Sequence, residues 1–103
     1  MADTAWTLPK LQQHIQDLYG AKDQARGLEG TFMWFMEEIG ELSAALRIRD
    51  AQALTLEFAD VLAWLATLAN VAGVDLNSAM QLKYGLHCPG CLHHPCRCEA
   101  EKP

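Results

Sequence analysis

Four carboxylates are spaced in a way that suits chemistry. Glu38 and Glu41 are three residues apart, as are Glu57 and Asp60, and on an α-helix this spacing puts each pair on one face within reach of a shared ion. The two pairs are also matched: Glu38 and Asp60 are equidistant from residue 49, and so are Glu41 and Glu57. In an antiparallel hairpin turning at that position, the partners stand at the same height. Carboxylates facing one another in a partly buried site raise each other's pKa unless cations compensate them, so the pattern predicts a divalent metal site. Acidic pairs also occur on solvated helix faces, where one Glu-x-x-Glu says little; the second, matched pair supplies the specificity. Di-iron carboxylate bundles need a Glu-x-x-His motif, and neither Glu41 nor Glu57 is followed three residues later by histidine.

Trp34 and Trp64 share the same midpoint, one turn beyond the carboxylates. They are candidates for an aromatic floor under a base, although an aromatic at helical spacing is more often core. Gly40 interrupts the same helix, and a mid-helix glycine costs about 1 kcal/mol relative to alanine. The expectation is a close approach to the backbone there, by a ligand or a neighbouring helix.

The elements that must position these residues are helices. Thr7-Leu8-Pro9 can cap and open a first helix, with Leu11, Ile15, Leu18 and Tyr19 as its apolar face and Gly20 as a possible stop, or an end near Lys22. After the turn-prone Gly27-Leu28-Glu29-Gly30, a second helix is expected from about Thr31, carrying Phe32, Phe35, Ile39, Leu42 and Leu46. Arg49-Asp50 offers a short turn, and a third helix places Leu54, Phe58, Val61, Leu65 and Leu68 at the same spacings up to Gly73. A fourth runs from about Asp75 to Tyr84, ended by Gly85. No strand-like alternation, solenoid repeat or low-complexity tract is found, so the predicted fold is all-α, an antiparallel four-helix bundle. The helical domain is assigned to residues 1–86 and a Cys-rich tail to 87–103.

At 103 residues, half of them hydrophobic, the chain suits one globular domain whose modest core is completed by oligomerisation or by a metal. The net charge is −5 and the acids gather between Glu29 and Asp60, so no basic surface suits a nucleic-acid backbone. A nucleotide remains compatible, because carboxylate-bound cations can hold phosphates. The N-terminus has neither a basic stretch nor an apolar signal region, and no apolar run is read as long enough to cross a bilayer. A cytoplasmic protein with no membrane partner is expected.

All four cysteines fall at 88, 91, 96 and 98. Without a secretory signal this cluster suggests metal before disulfides. Cys88-Pro89-Gly90-Cys91 looks like half of a zinc knuckle, and Cys96-Arg97-Cys98 is a tighter second half. Tetrahedral, structural Zn²⁺ on Cys88, Cys91, Cys96 and Cys98 is the expectation, with His87, His93 and His94 able to replace one thiolate. A thioredoxin-like redox role is disfavoured, since that chemistry normally sits on a βαβ framework.

Glu37-Glu38-Ile39-Gly40-Glu41-Leu42, followed by Glu57-Phe58-Ala59-Asp60-Val61-Leu62, resembles the EExxE…ExxD signature of MazG-like nucleotide pyrophosphohydrolases. The resemblance runs from about Thr31 to Tyr84 and includes Gly73-Val74-Asp75 before the last helix. It implies a MazG-like bundle that hydrolyses nucleoside triphosphates between the α and β phosphates, giving a nucleoside monophosphate and pyrophosphate. It further implies Mg²⁺ held by Glu38, Glu41, Glu57 and Asp60, with Glu37 or Glu41 as general base. Lys83 matches a phosphate-reaching lysine of the family, but the following Tyr84-Gly85-Leu86-His87 departs from the polar continuation of many relatives. A homodimer or homotetramer is implied, in which a neighbouring subunit supplies the missing group, and so is a role in clearing non-standard nucleotides. The competing reading is a non-catalytic helical metal-binding interaction module.

Overall fold

A computed structural model describes residues 5–101. Among them are three α-helices and no strand: α1 (Leu8–Ile48), α2 (Ala51–Ala72) and α3 (Leu76–Tyr84). Thr7 caps α1 by accepting from the Lys10 backbone N–H at 3.2 Å, with Pro9 in the first turn.

The first two expected helices prove to be one element with a sharp kink. Gly27 alone departs from helical geometry, at φ 83 and ψ 178, a region open essentially only to glycine. The expected four-residue turn is therefore a one-residue break. Gly20 does not stop the helix, and Thr31 is a fully buried helical residue instead of a start.

Arg49, with φ 62, closes α1, and Asp50 caps α2 by accepting from the Gln52 backbone N–H at 3.3 Å. This two-residue link forces α2 back along the second arm of α1. Gly73, with φ 75, ends α2, and the Val74 N–H returns to the Ala69 carbonyl at 2.8 Å, as in a Schellman cap. Asp75 then caps α3, accepting from the N–H groups of Asn77 and Ser78.

The fully buried positions are few and mostly small: Ile15, Thr31 and Ala45 from α1, and Ala66, Thr67 and Ala69 from α2. Small side chains let the helix axes approach closely. The first arm of α1 is tied to the end of α2 by polar groups. Gln12 Nε2 donates to Asn70 Oδ1 and the Val74 carbonyl, Asn70 Nδ2 donates to the Gln12 carbonyl, and Gln12 Oε1 accepts the Leu76 N–H at 2.7 Å. One glutamine thus fixes the relative places of all three helices.

The expected apolar stripes are only partly covered. Phe35, Ile39, Leu42, Leu54, Val61 and Leu68 are half-buried, but Phe32, Leu46, Phe58 and Leu65 are exposed, along with Met33, Met36 and Leu62. One chain does not close its own core. The reading that no apolar run can span a bilayer also needs correction, because α2 is long and apolar enough by length and composition. Such a helix also arises as the core element of a soluble bundle, and this one carries Glu57 and Asp60 at its middle.

Candidate active site

The hairpin of α1 and α2 brings the two carboxylate pairs together. Glu38, Glu41, Glu57 and Asp60 each offer an oxygen, and all four oxygens lie within 4.8 Å of one another. Glu38 and Glu57 are half-buried while Glu41 and Asp60 reach solvent, so the cluster opens on one side. The inner members each bury an oxygen, Oε2, that has no hydrogen-bond partner. A buried unpaired carboxylate oxygen is costly. Burial, then the hydrogen bond and charge of Glu41, then the charges of Asp60 and Glu57 push Glu38 up to about 7. Burial and the charges of Glu41 and Asp60 raise Glu57 as well. Hard oxygen donors on rigid helices, with orphaned oxygens and mutual repulsion, fit a hard divalent cation such as Mg²⁺.

Trp34 and Trp64 stack on each other, with centroids 6.1 Å apart and planes 17° from parallel. Arg26 lies over the Trp64 ring at 4.9 Å. Trp64 therefore already has two partners in the plane expected to receive a base. Glu37 is exposed and is not among the carboxylates brought together. Lys83 is exposed at the end of α3, with its Nζ 5.6 Å from the Tyr84 ring. Gly40 has open space around it, so the expected close approach is not made within the chain.

A cleft of about 360 Å³ adjoins the cluster, lined by Asp60 and Trp64 from α2 and by Tyr19, Lys22, Asp23 and Arg26 from the first arm of α1. The sequence reading missed these four. Asp23 is 3% exposed; its Oδ1 accepts from Arg26 Nη1 at 3.0 Å, and its Oδ2 is buried with no partner. The same Arg26 nitrogen donates to Thr31 Oγ1 across the Gly27 kink. The spacing of Tyr19, Lys22, Asp23 and Arg26 on one helical face was an available signal, hidden by ending the first helix near Lys22.

A second cluster lies beyond α3. The sulfurs of Cys88, Cys91, Cys96 and Cys98 also fall within 4.8 Å of one another, and all four cysteines are free. The Arg97 backbone N–H draws Cys91 down to about 5, whereas the hydrogen bond with Cys96 and burial push Cys98 up to about 12.

Helices that fold back to gather two acidic pairs beside a cationic, aromatic cleft suit a divalent cation and a phosphate-bearing ligand, and comparison with known proteins names the class. The family model of the MazG nucleotide pyrophosphohydrolase domain matches residues 26–84, so the chain belongs to that family and is a nucleotide pyrophosphohydrolase. The dATP/dGTP diphosphohydrolase of Cyanophage S-2L is 36% identical over 81 residues, covering 79% of this chain and 73% of that protein.

Proposed function

We propose that the protein hydrolyses nucleoside triphosphates between the α and β phosphates, releasing a nucleoside monophosphate and pyrophosphate, with Mg²⁺ held by Glu38, Glu41, Glu57 and Asp60. The observation that carries this reading is the convergence of those four carboxylates, two with buried unpartnered oxygens, beside a cleft with two cationic side chains. A bound divalent ion supplies charge neutralisation at the phosphates and a more acidic water. The chain's own groups do the rest. Glu41, exposed and within the four-carboxylate cluster, takes the proton of the attacking water at its carboxylate, a role for which Glu37 is less well placed. Lys22 and Arg26 line the same cleft as Asp60 and receive phosphate charge.

The relative, a dATP/dGTP diphosphohydrolase, favours purine deoxynucleotides as the substrates. Both purines carry N–H donors on the base edge, and Asp23 Oδ2 is a buried acceptor without a partner in the same cleft. The Trp34–Trp64 stack then forms a wall against which the base is held. The exposed Phe32, Met33, Met36, Phe58, Leu62 and Leu65 support closure of the core by a second copy, as a homodimer or homotetramer, in which Lys83 or a neighbour's residues complete phosphate binding. Clearing of unwanted nucleotides is the role this activity suits.

The test is pyrophosphate release from a panel of deoxy- and ribonucleoside triphosphates, with and without Mg²⁺, by the intact protein and Glu41→Gln. Release that needs both Mg²⁺ and Glu41, and is fastest with dATP or dGTP, is expected. No release by a well-folded chain across the panel refutes the reading.

A further inference from the structure

We propose that residues 88–98 form a structural zinc site in which Cys88, Cys91, Cys96 and Cys98 are the four ligands, separate from the carboxylate centre and independent of the reading given for it. The geometry carries this. Four thiolates around a tetrahedral zinc at about 2.3 Å stand about 3.8 Å from one another. The observed separations are 3.8 Å between Cys88 and Cys98 and 3.9 Å between Cys91 and Cys96. Each of these pairs joins one cysteine of the Cys-x-x-Cys half to one of the Cys-x-Cys half. A shared ion brings the two halves together in this way, and neither motif alone explains it.

The surrounding backbone is arranged for thiolates. The Gly90 N–H donates to Cys88 Sγ at 3.3 Å, the Cys98 N–H to Cys96 Sγ at 3.3 Å, and the Arg97 N–H to Cys91 Sγ at 3.2 Å. Outer donors of this kind orient metal-bound ligands and spread their charge. The first half is closed by the Leu92 N–H on the Cys88 carbonyl at 2.8 Å and the Cys88 N–H on the His93 carbonyl at 2.9 Å. Leu92 sits at φ 62, a left-handed conformation that branched L-residues rarely take. No helix or strand runs through this stretch, so a small loop with few buried apolar groups holds a defined shape, as metal-stapled loops do. The tighter Cys-x-Cys spacing, the one feature that sat poorly with zinc in the sequence, is accommodated because Cys96 and Cys98 pair across to different partners. The soft donor set selects zinc over magnesium, and the hard oxygens of the other cluster do the reverse.

The full chain, purified without chelator, is analysed for metal by mass spectrometry, and its tail is probed by trypsin cleavage after Arg97. About one zinc per chain is expected, retained in Glu57→Gln and lost in both Cys88→Ser and Cys96→Ser. Cobalt in its place should give the visible bands of a tetrahedral tetrathiolate. Removing zinc should speed cleavage after Arg97 at least tenfold while the helical circular dichroism of the bundle is kept. The proposal is overturned by a zinc-free chain whose four thiols all react in the native state, by disulfides among them, by iron in place of zinc, or by zinc that survives both cysteine variants.

Discussion

Asp23 shows how a single side chain can set specificity. It is nearly fully buried, one oxygen is held by Arg26, and the other has no partner. A site built to accept a hydrogen bond rejects a ligand that cannot give one, because its own polar group is left unpaired. Asp23→Asn keeps the shape but offers an amide that can present a donor. We expect KM for the nucleotide hydrolysed fastest to rise roughly tenfold or more, from loss of about 1.5–3 kcal/mol of hydrogen bonding, with a smaller change in kcat. A kcat loss at unchanged KM would instead place Asp23 in the chemical step. Asp23 was hard to find from sequence, since ending the first helix near Lys22 cut it off from Tyr19, Lys22 and Arg26, the residues whose helical spacing would have grouped it on one face. The four carboxylates were legible because helical periodicity and a short turn fix their relative height without any knowledge of tertiary packing. Which of their oxygens lack partners depends on burial, and only the folded hairpin shows that.

At the scale of elements, the Gly27 kink decides where the cleft lies. It turns the first arm of α1 so that Tyr19, Lys22, Asp23 and Arg26 face Asp60 and Trp64, and Arg26 bridges the break by bonding Asp23 on one side and Thr31 on the other. Space around Gly27 is open, so an added methyl meets no neighbour. The cost of Gly27→Ala lies in the backbone alone, at roughly 1–3 kcal/mol for φ 83 and ψ 178. With about 4–8 °C of melting temperature per kcal/mol in a domain of this size, thermal unfolding should show a drop of several degrees or more, and KM should rise as the arm relaxes. An unchanged melting point would mean that the helix runs straight through residue 27. Helix ends marked by Thr7, Asp50, Gly73 and Asp75 were readable in the sequence, because each carries a cap whose chemistry is local. The interior break was misjudged as a four-residue turn because Leu28, Glu29 and Gly30 can sit in a helix or out of it, and the bonds of Arg26 to Asp23 and Thr31, which span the break, are not visible in residue types alone.

For the whole molecule, a divalent ion held as proposed competes with the proton for the same cluster. Glu38 rises from 4.5 to about 7 and Glu57 is raised too, both first by burial and then by neighbouring carboxylates. In the metal-free chain the folded state therefore holds a proton that the unfolded state releases. The stability this contributes is fully present below the unfolded value near 4.5, and it is lost as pH climbs through about 7. A divalent cation needs the same oxygens deprotonated, so its stabilisation grows over the same interval. Protein dialysed free of magnesium, which leaves a tightly held tail metal in place, should lose melting temperature between pH 5 and pH 8. Saturating Mg²⁺ should restore it at pH 8 and do little at pH 5, with about 2.7 kcal/mol gained when the ion is a hundredfold above its dissociation constant. Glu57→Gln removes one charge from the cluster, so its metal-free form should be flatter with pH while its response to Mg²⁺ weakens. Equal stabilisation by Mg²⁺ at both pH values would show that the ion binds elsewhere, because no site made of these four carboxylates can be indifferent to the proton that Glu38 holds.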